Sequence, residues 1–198
     1  MINLPNLLTF IRIATIPFLV FFFYLPVSWG HTVAALIFAV GSFTDWLDGY
    51  LARSLKQSTK LGAFLDPVAD KLMVSIALVL IVGQPQFQFL SLSSGVYSVP
   101  IAIITIPAAI IVGREIVVSA LREWMAEIGK LTSMPGTQIA KVKTTAQMFA
   151  LVILLYCTPT TNAAIVIIGY ILLYAAVVLT IWSMVLYLKT AWPVLKDQ

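Results

Sequence analysis

The chain has 198 residues, of which 61% are hydrophobic and 10% charged, whereas soluble domains run about 45–50% apolar and about 25% charged. That balance excludes a water-soluble globular domain, and six helices of about 20 residues would leave only short loops, so one transmembrane domain spanning 1–198 is expected. The lone Cys157 excludes an internal disulfide framework and a cysteine-based metal cluster, and the net charge of +4 says less than the placement of the twelve Lys and Arg.

Met1 to Asn6 reads as a short interfacial lead-in. It is not expected to be a signal peptide, because no basic residue precedes Leu7. Charged residues are then missing from three blocks, 13–44, 72–113 and 144–188, each about two membrane crossings long. A turn signal interrupts each block: 25–31 with Pro26 and Gly30, 83–98 with Gly83, Pro85 and Gly95, and 158–162 with Pro159 and Asn162. Three helical hairpins follow. The predicted fold is all-α and integral to the membrane, with six helices over 7–25, 32–55, 61–82, 99–126, 139–157 and 163–189. All twelve basic residues fall at the ends opposite these turns, which puts both termini and the 53–60 and 122–143 connections in the cytoplasm. His31 sits at a turn, on the far side, and is not expected to take part in chemistry.

Helix length carries the reading further. Without its turn, the first block leaves about 12 uncharged residues per helix, roughly 20 Å at 1.5 Å per residue. The hydrocarbon core is about 30 Å thick, so the bounding charges must lie inside it. Applied to the other blocks, the same reasoning brings charges from five helices to one depth, about 10 Å below the cytoplasmic face. Charges so placed line a cavity or pair with one another.

Four of the eight acidic residues stand on the second and third helices. Asp45 and Asp48 are three apart and Asp66 and Asp70 four apart, so each pair shares a helix face. An intramembrane carboxylate costs about 3 kcal/mol on insertion scales, so four need a neutralising partner. Arg53, Lys56 and Lys71 are nearby candidates. The alternative is a hard divalent cation, Mg²⁺ or Mn²⁺, for which an all-oxygen carboxylate cluster is the preferred ligand set, and two such ions would balance all four charges. A divalent-cation transporter would use the same residues, but such sites usually lie at the midplane between repeated halves. No repeat is present here, and all the charges lie toward one side.

Written out, the segment is Asp45-Trp-Leu-Asp48-Gly49-Tyr-Leu-Ala52-Arg53, eight residues, then Gly62-Ala-Phe-Leu-Asp66-Pro-Val-Ala-Asp70. It resembles the signature of the CDP-alcohol phosphotransferase family at every fixed position and spacing. The resemblance extends to Pro5–Arg12, to Gly113-Arg-Glu115 and Ser119-Ala-Leu-Arg122 on the fourth helix, and to Lys141-Val-Lys143-Thr144-Thr-Ala-Gln147 on the fifth. Together these resemble the bacterial branch of the family that joins CDP-diacylglycerol to glycerol 3-phosphate and releases CMP. Ala140 departs from the usual glycine before the Lys-x-Lys-Thr run, which bears on helix packing there rather than on chemistry.

The resemblance implies that Asp45, Asp48, Asp66 and Asp70 bind two Mg²⁺ or Mn²⁺ ions and that Gly49, Ala52, Gly62 and Arg53 form the cytidine site. Glycine and alanine leave room there for a flat nucleotide against helix backbone. Arg114, Arg122, Lys141 and Lys143 are assigned to the acceptor phosphate; setting topology and, for Arg114, pairing with Glu115 are the competing readings. Thr9 and Arg12 are expected to face the same cavity. Asp70, one turn deeper than Asp66, is the expected general base, since no histidine lies near. Family members are dimers, so a homodimer is implied, and nucleic acid is not an expected partner. A sister transferase using an inositol phosphate or serine remains the alternative acceptor reading.

Overall fold

The computed structural model describes residues 4–54, 60–92, 95–129 and 138–196, and for Asp48, Gly49, Ala52, Arg53, Ala140 and Lys141 only the helical backbone is described. Six long helices run in sequence: α1 Leu4–Tyr24, α2 Gly30–Ser54, α3 Lys60–Val82, α4 Ala102–Glu127, α5 Gln138–Tyr156 and α6 Ala163–Lys196. At 1.5 Å per residue, the shortest, with 19 residues, is about 28 Å long, close to the hydrocarbon thickness. Asn6–Tyr24, Ala102–Glu127 and Ala163–Trp192 are long and apolar enough to cross a membrane on composition alone. The chain is thus an all-α multi-pass membrane protein. The other three helices pack among these: α2 lies against α1 and α5, α3 against α1, α4 and α5, and α5 against α2, α3 and α6, while α6 also packs on α4.

Three boundaries differ from expectation by three residues or more. Helix α1 begins at Leu4 rather than 7, so residues 4–6 of the expected lead-in are helical. Helix α4 starts at Ala102 rather than 99, because proline at 100 restricts the residue before it to extended backbone. Helix α6 runs on to Lys196, giving 34 residues, about 51 Å and more than one membrane thickness.

The 83–98 connection is more ordered than a simple turn. One turn of 3-10 helix at Pro85–Gln88 leads into β1 Phe89–Leu92, paired antiparallel with β2 Gly95–Ser98 in the register Phe89↔Ser98 to Leu92↔Gly95. Gly95, the first residue of β2, has φ of 140°, a conformation that side chains disfavour, which is why glycine stands there.

Burial divides the bundle by depth. Toward the turn end the core is apolar and includes Leu19, Phe23, Phe38, Leu78, Ile81, Ile104, Leu154 and Leu173. Toward the opposite end, where α1, α3 and α5 begin and α2, α4 and α6 finish, the buried residues include Asn6, Thr9, Arg12, Arg114, Lys143, Gln147, Thr180 and Ser183. An apolar half fixes the helices, and the polar half they frame holds the site. At the junction, a Cβ on Gly41 of α2 would overlap Met73 Cε of α3 and fall 3.8 Å from Arg12 Cγ. The missing side chain therefore lets α1 and α3 close on α2 beside the first aspartate.

Candidate active site

The polar half holds two clusters. The first is built by α1, α2 and α3. Arg12 reaches from α1 between two carboxylates, and its Nη1 donates to Asp45 Oδ1 at 2.7 Å and to Asp70 Oδ1 at 2.5 Å. Thr9, three residues earlier and on the same face of α1, donates to Asp66 Oδ1 at 2.5 Å. Buried charges must be paired, and this arrangement pairs them from within: Arg12 is 1% exposed, while the side chains of Asp45 and Asp70 are 36% and 39% exposed. The carboxylates therefore remain accessible to a ligand. Lys71, a sequence candidate for neutralising them, donates instead to Ser119 of α4; Arg53 and Lys56 lie outside the described side chains.

Asp45 and Asp70 are thus brought together on Arg12, Asp66 is held separately by Thr9 on the same face of α1, and Asp48 is the signature aspartate whose side chain is not described. Among the described residues, no group of three acidic, histidine or cysteine side chains is gathered closely enough to hold a metal ion. Even so, Asp45 and Asp70 face each other across one positively charged nitrogen. Their all-oxygen donors suit a hard divalent cation, so the residues present fit one. Gly62, a member of the expected nucleotide site, is buried on α3, where its lack of a side chain permits close approach.

The second cluster joins α4, α5 and α6. Arg114 is 9% exposed; its Nη1 donates to Glu115 Oε1 at 3.0 Å and its Nη2 to Ser183 Oγ at 3.1 Å. Lys143 Nζ donates to the same Glu115 oxygen at 2.6 Å. Arg122 Nη2 donates to Tyr187 OH at 3.4 Å. The guanidinium carbons of Arg114 and Arg122 lie 5.9 and 5.5 Å from the centre of the Tyr187 ring, within range for cation–π attraction. The two arginines, eight residues apart, therefore converge on one buried tyrosine. Glu115 offsets one of the three positive charges, and two remain in excess, the sign and size suited to a dianionic phosphate. Lys141 belongs to this group by sequence, and its side chain lies outside the description.

Arg114 Nε, Gln147 Oε1 and Thr180 Oγ1 are buried with no hydrogen-bond partner among the described residues. Gln147 is one turn from Lys143 and Thr180 one turn from Ser183, so all three border the second cluster. Buried polar atoms normally find a partner, and such a concentration marks a place for water or a polar ligand. The bond from Lys71 on α3 to Ser119 on α4 ties the two clusters together.

Sequence reasoning passed over Thr180, Ser183 and Tyr187. Their spacing of three and then four places them in one stripe on α6, and a polar stripe in so apolar a helix is the signal that would have found them.

Comparison with known proteins points to one family. The family model described as CDP-alcohol phosphatidyltransferase matches residues 2–182. The chain is 52% identical over 197 residues to the CDP-diacylglycerol–glycerol-3-phosphate 3-phosphatidyltransferase of Pseudomonas fluorescens, covering 98% of this chain and 92% of that protein. It is 49% identical over 196 residues to the proteins of the same name from Escherichia coli strain K12 and Shigella flexneri serotype 5b, covering 99% of this chain and 98% of each. The motif on α2 and α3, the second cluster on α4 and α5, and similarity along nearly the whole length agree: the chain belongs to the CDP-alcohol phosphatidyltransferase family.

Proposed function

We propose that this protein transfers the phosphatidyl group of CDP-diacylglycerol to glycerol 3-phosphate and releases CMP, within one domain comprising the whole chain. The observation that carries the reading is the pairing of two clusters, Arg12 with Asp45, Asp66 and Asp70, and Arg114, Arg122 and Lys143 around Glu115 and Tyr187. The first suits divalent cations that would carry a nucleotide pyrophosphate, and the second a separate phosphate. The names of the full-length relatives favour glycerol 3-phosphate over an inositol phosphate or serine.

Asp45, Asp48, Asp66 and Asp70 would hold the divalent ions, two of Mg²⁺ or Mn²⁺ in this reading, which when bound neutralise charge on the donor phosphates and acidify the attacking hydroxyl. The chain's own residues do the rest. Gly49, Ala52, Gly62 and Arg53 seat the cytidine. Arg114, Arg122, Lys141 and Lys143 hold the acceptor phosphate, so that its hydroxyl meets the donor phosphorus in a fixed geometry. Asp70 takes the hydroxyl proton, a new P–O bond forms, and the bond to CMP breaks. Purified protein supplied with CDP-diacylglycerol and Mg²⁺ should release CMP with glycerol 3-phosphate and not with inositol 1-phosphate or serine; the opposite selectivity would reassign the acceptor.

Placement in the bacterial inner membrane follows in this reading, with both termini and the site facing the cytoplasm. The supporting feature is that the basic residues gather at the ends opposite the turns. Single cysteines at Ser28, Ser93 and Thr160 should react with an impermeant reagent on intact cells, and cysteines at Ser58 and Ser133 should not. Labelling of Ser58→Cys from outside would invert the topology. The homodimer expected from the family would appear as a mass of two chains in detergent.

Acceptor binding gives a further test. Arg122 is exposed, whereas Arg114 is buried between Glu115 and Ser183, so Arg122→Ala perturbs the fold less. A charge-assisted hydrogen bond contributes about 1.5–3 kcal/mol, and its loss should raise the glycerol 3-phosphate KM by about 10- to 100-fold. The CDP-diacylglycerol KM should change far less; equal effects on the two would make the cluster structural.

A further inference from the structure

Three helices each contribute one buried polar atom without a hydrogen-bond partner among the described residues: Arg114 Nε from α4, Gln147 Oε1 from α5 and Thr180 Oγ1 from α6. Gln147 is 3% exposed and Thr180 0%, so bulk water does not satisfy them. The three side chains have neighbours in common. Ser183 accepts from Arg114 Nη2 at 3.1 Å and donates to the backbone oxygen of Thr180 at 2.9 Å, which brings Thr180 beside Arg114. Glu115 accepts from both Arg114 and Lys143, and Gln147 follows Lys143 by one turn on the same face of α5. Gln147 also stands near the depth of the aspartates, since Met148, the next residue, lines the small cavity with Asp45 and Asp70.

We propose that Gln147 and Thr180, with Arg114 Nε, bind the secondary hydroxyl of the acceptor, the one that does not attack, and so set acceptor specificity; the inference rests on the transfer reaction proposed above. The chemistry of the three atoms selects this group. Arg114 Nε only donates, Gln147 Oε1 only accepts, and the Thr180 hydroxyl does either. A carboxylate or a phosphate dianion only accepts and an ammonium only donates, so none of these satisfies all three atoms, whereas one hydroxyl does. Position agrees with chemistry. In glycerol 3-phosphate the secondary hydroxyl sits on the carbon between the phosphate end and the attacking primary hydroxyl. Along α5, Gln147 lies between Lys143, assigned to the phosphate, and Met148, which borders the cavity of Asp70, assigned to the attacking hydroxyl. Holding the middle carbon orients the primary hydroxyl toward the donor phosphorus. An acceptor without that hydroxyl leaves the buried atoms unpaired, which is how a hydrogen-bonding site rejects such an analogue.

The test compares glycerol 3-phosphate with 3-hydroxypropyl phosphate, which lacks only the secondary hydroxyl, in the purified full-length protein supplied with CDP-diacylglycerol and Mg²⁺. The unaltered protein should favour glycerol 3-phosphate in kcat/KM by about tenfold or more. Gln147→Leu and Thr180→Val, which keep most of the side-chain volume, should each lower that preference by about two- to tenfold, because the loss falls on the acceptor that carries the hydroxyl. Thr180→Ser, which keeps an oxygen in place, should retain the preference. Absence of a preference in the unaltered protein would overturn the proposal. So would a preference unchanged in both Gln147→Leu and Thr180→Val, whether activity is kept or falls equally with the two acceptors; equal losses would give the three atoms to a bound water. If the unaltered protein released no CMP with either acceptor, the transfer reading itself would fail, an outcome distinct from turnover without discrimination.

Discussion

Asp70→Asn should lower kcat by about 10²–10⁴, the range for removing a general base, equivalent to about 2.7–5.5 kcal/mol of transition-state stabilisation. The amide keeps the shape of the carboxylate and can still meet Arg12 through its oxygen, so the packing of α1 against α3 should survive. It cannot accept the hydroxyl proton at neutral pH. Affinity for the donor, measured by CMP or CDP-diacylglycerol binding, should change little, because the nucleotide is assigned to Gly49, Ala52, Gly62 and Arg53. Lost nucleotide binding would recast Asp70 as primarily a metal ligand, and near-normal kcat would move the base elsewhere. Arg12 supplies an internal comparison, since it touches Asp70 and Asp45 equally. Asp45→Asn also leaves that guanidinium with one fewer carboxylate but removes a residue assigned to the divalent ions, so it should weaken donor binding as well as kcat, whereas Asp70→Asn should lower kcat with donor binding little changed.

The helices were legible in the sequence because membrane burial leaves few alternatives. Uncharged blocks of two crossings, each broken by proline or glycine, place six helices to within about three residues at every end except the last, where α6 runs seven residues further. The aspartate pairs were legible because spacings of three and four on a helix determine the shared face without knowledge of the fold. Arg12 was harder to read. Which carboxylates it meets depends on how α1 packs across α2 and α3, a choice made by Gly41 and Met73 far along the chain. The same holds for Tyr187, whose value lies in two arginines on another helix. The hairpin at 89–98 escaped notice because its period-two pattern spans only four residues per strand, too short to outweigh the apolar runs on either side.

Removing divalent cations is the second perturbation with a large expected effect. Dialysis against a chelator should abolish CMP release, and Mg²⁺ or Mn²⁺ should restore it. The signature aspartates and the donor's pyrophosphate bring negative charge to one depth of the membrane, and Arg12 with its single positive charge cannot balance both. The folded state should be far less sensitive. Arg12 already bridges Asp45 and Asp70, and Thr9 satisfies Asp66, so the chelated protein should keep its Tm within a few degrees while losing turnover. Full turnover in chelator would contradict the divalent-ion reading, and a collapse in Tm would make the ions structural.

The central claim is that the acceptor hydroxyl attacks the phosphorus attached to diacylglycerol, with CMP as the leaving group. Glycerol 3-phosphate carrying oxygen-18 in its free primary hydroxyl traces that bond directly. The account predicts that the label is retained in the lipid product, bridging glycerol and phosphorus, and that the released CMP is unlabelled by mass spectrometry. Label in the CMP, or an unlabelled lipid product, would contradict it.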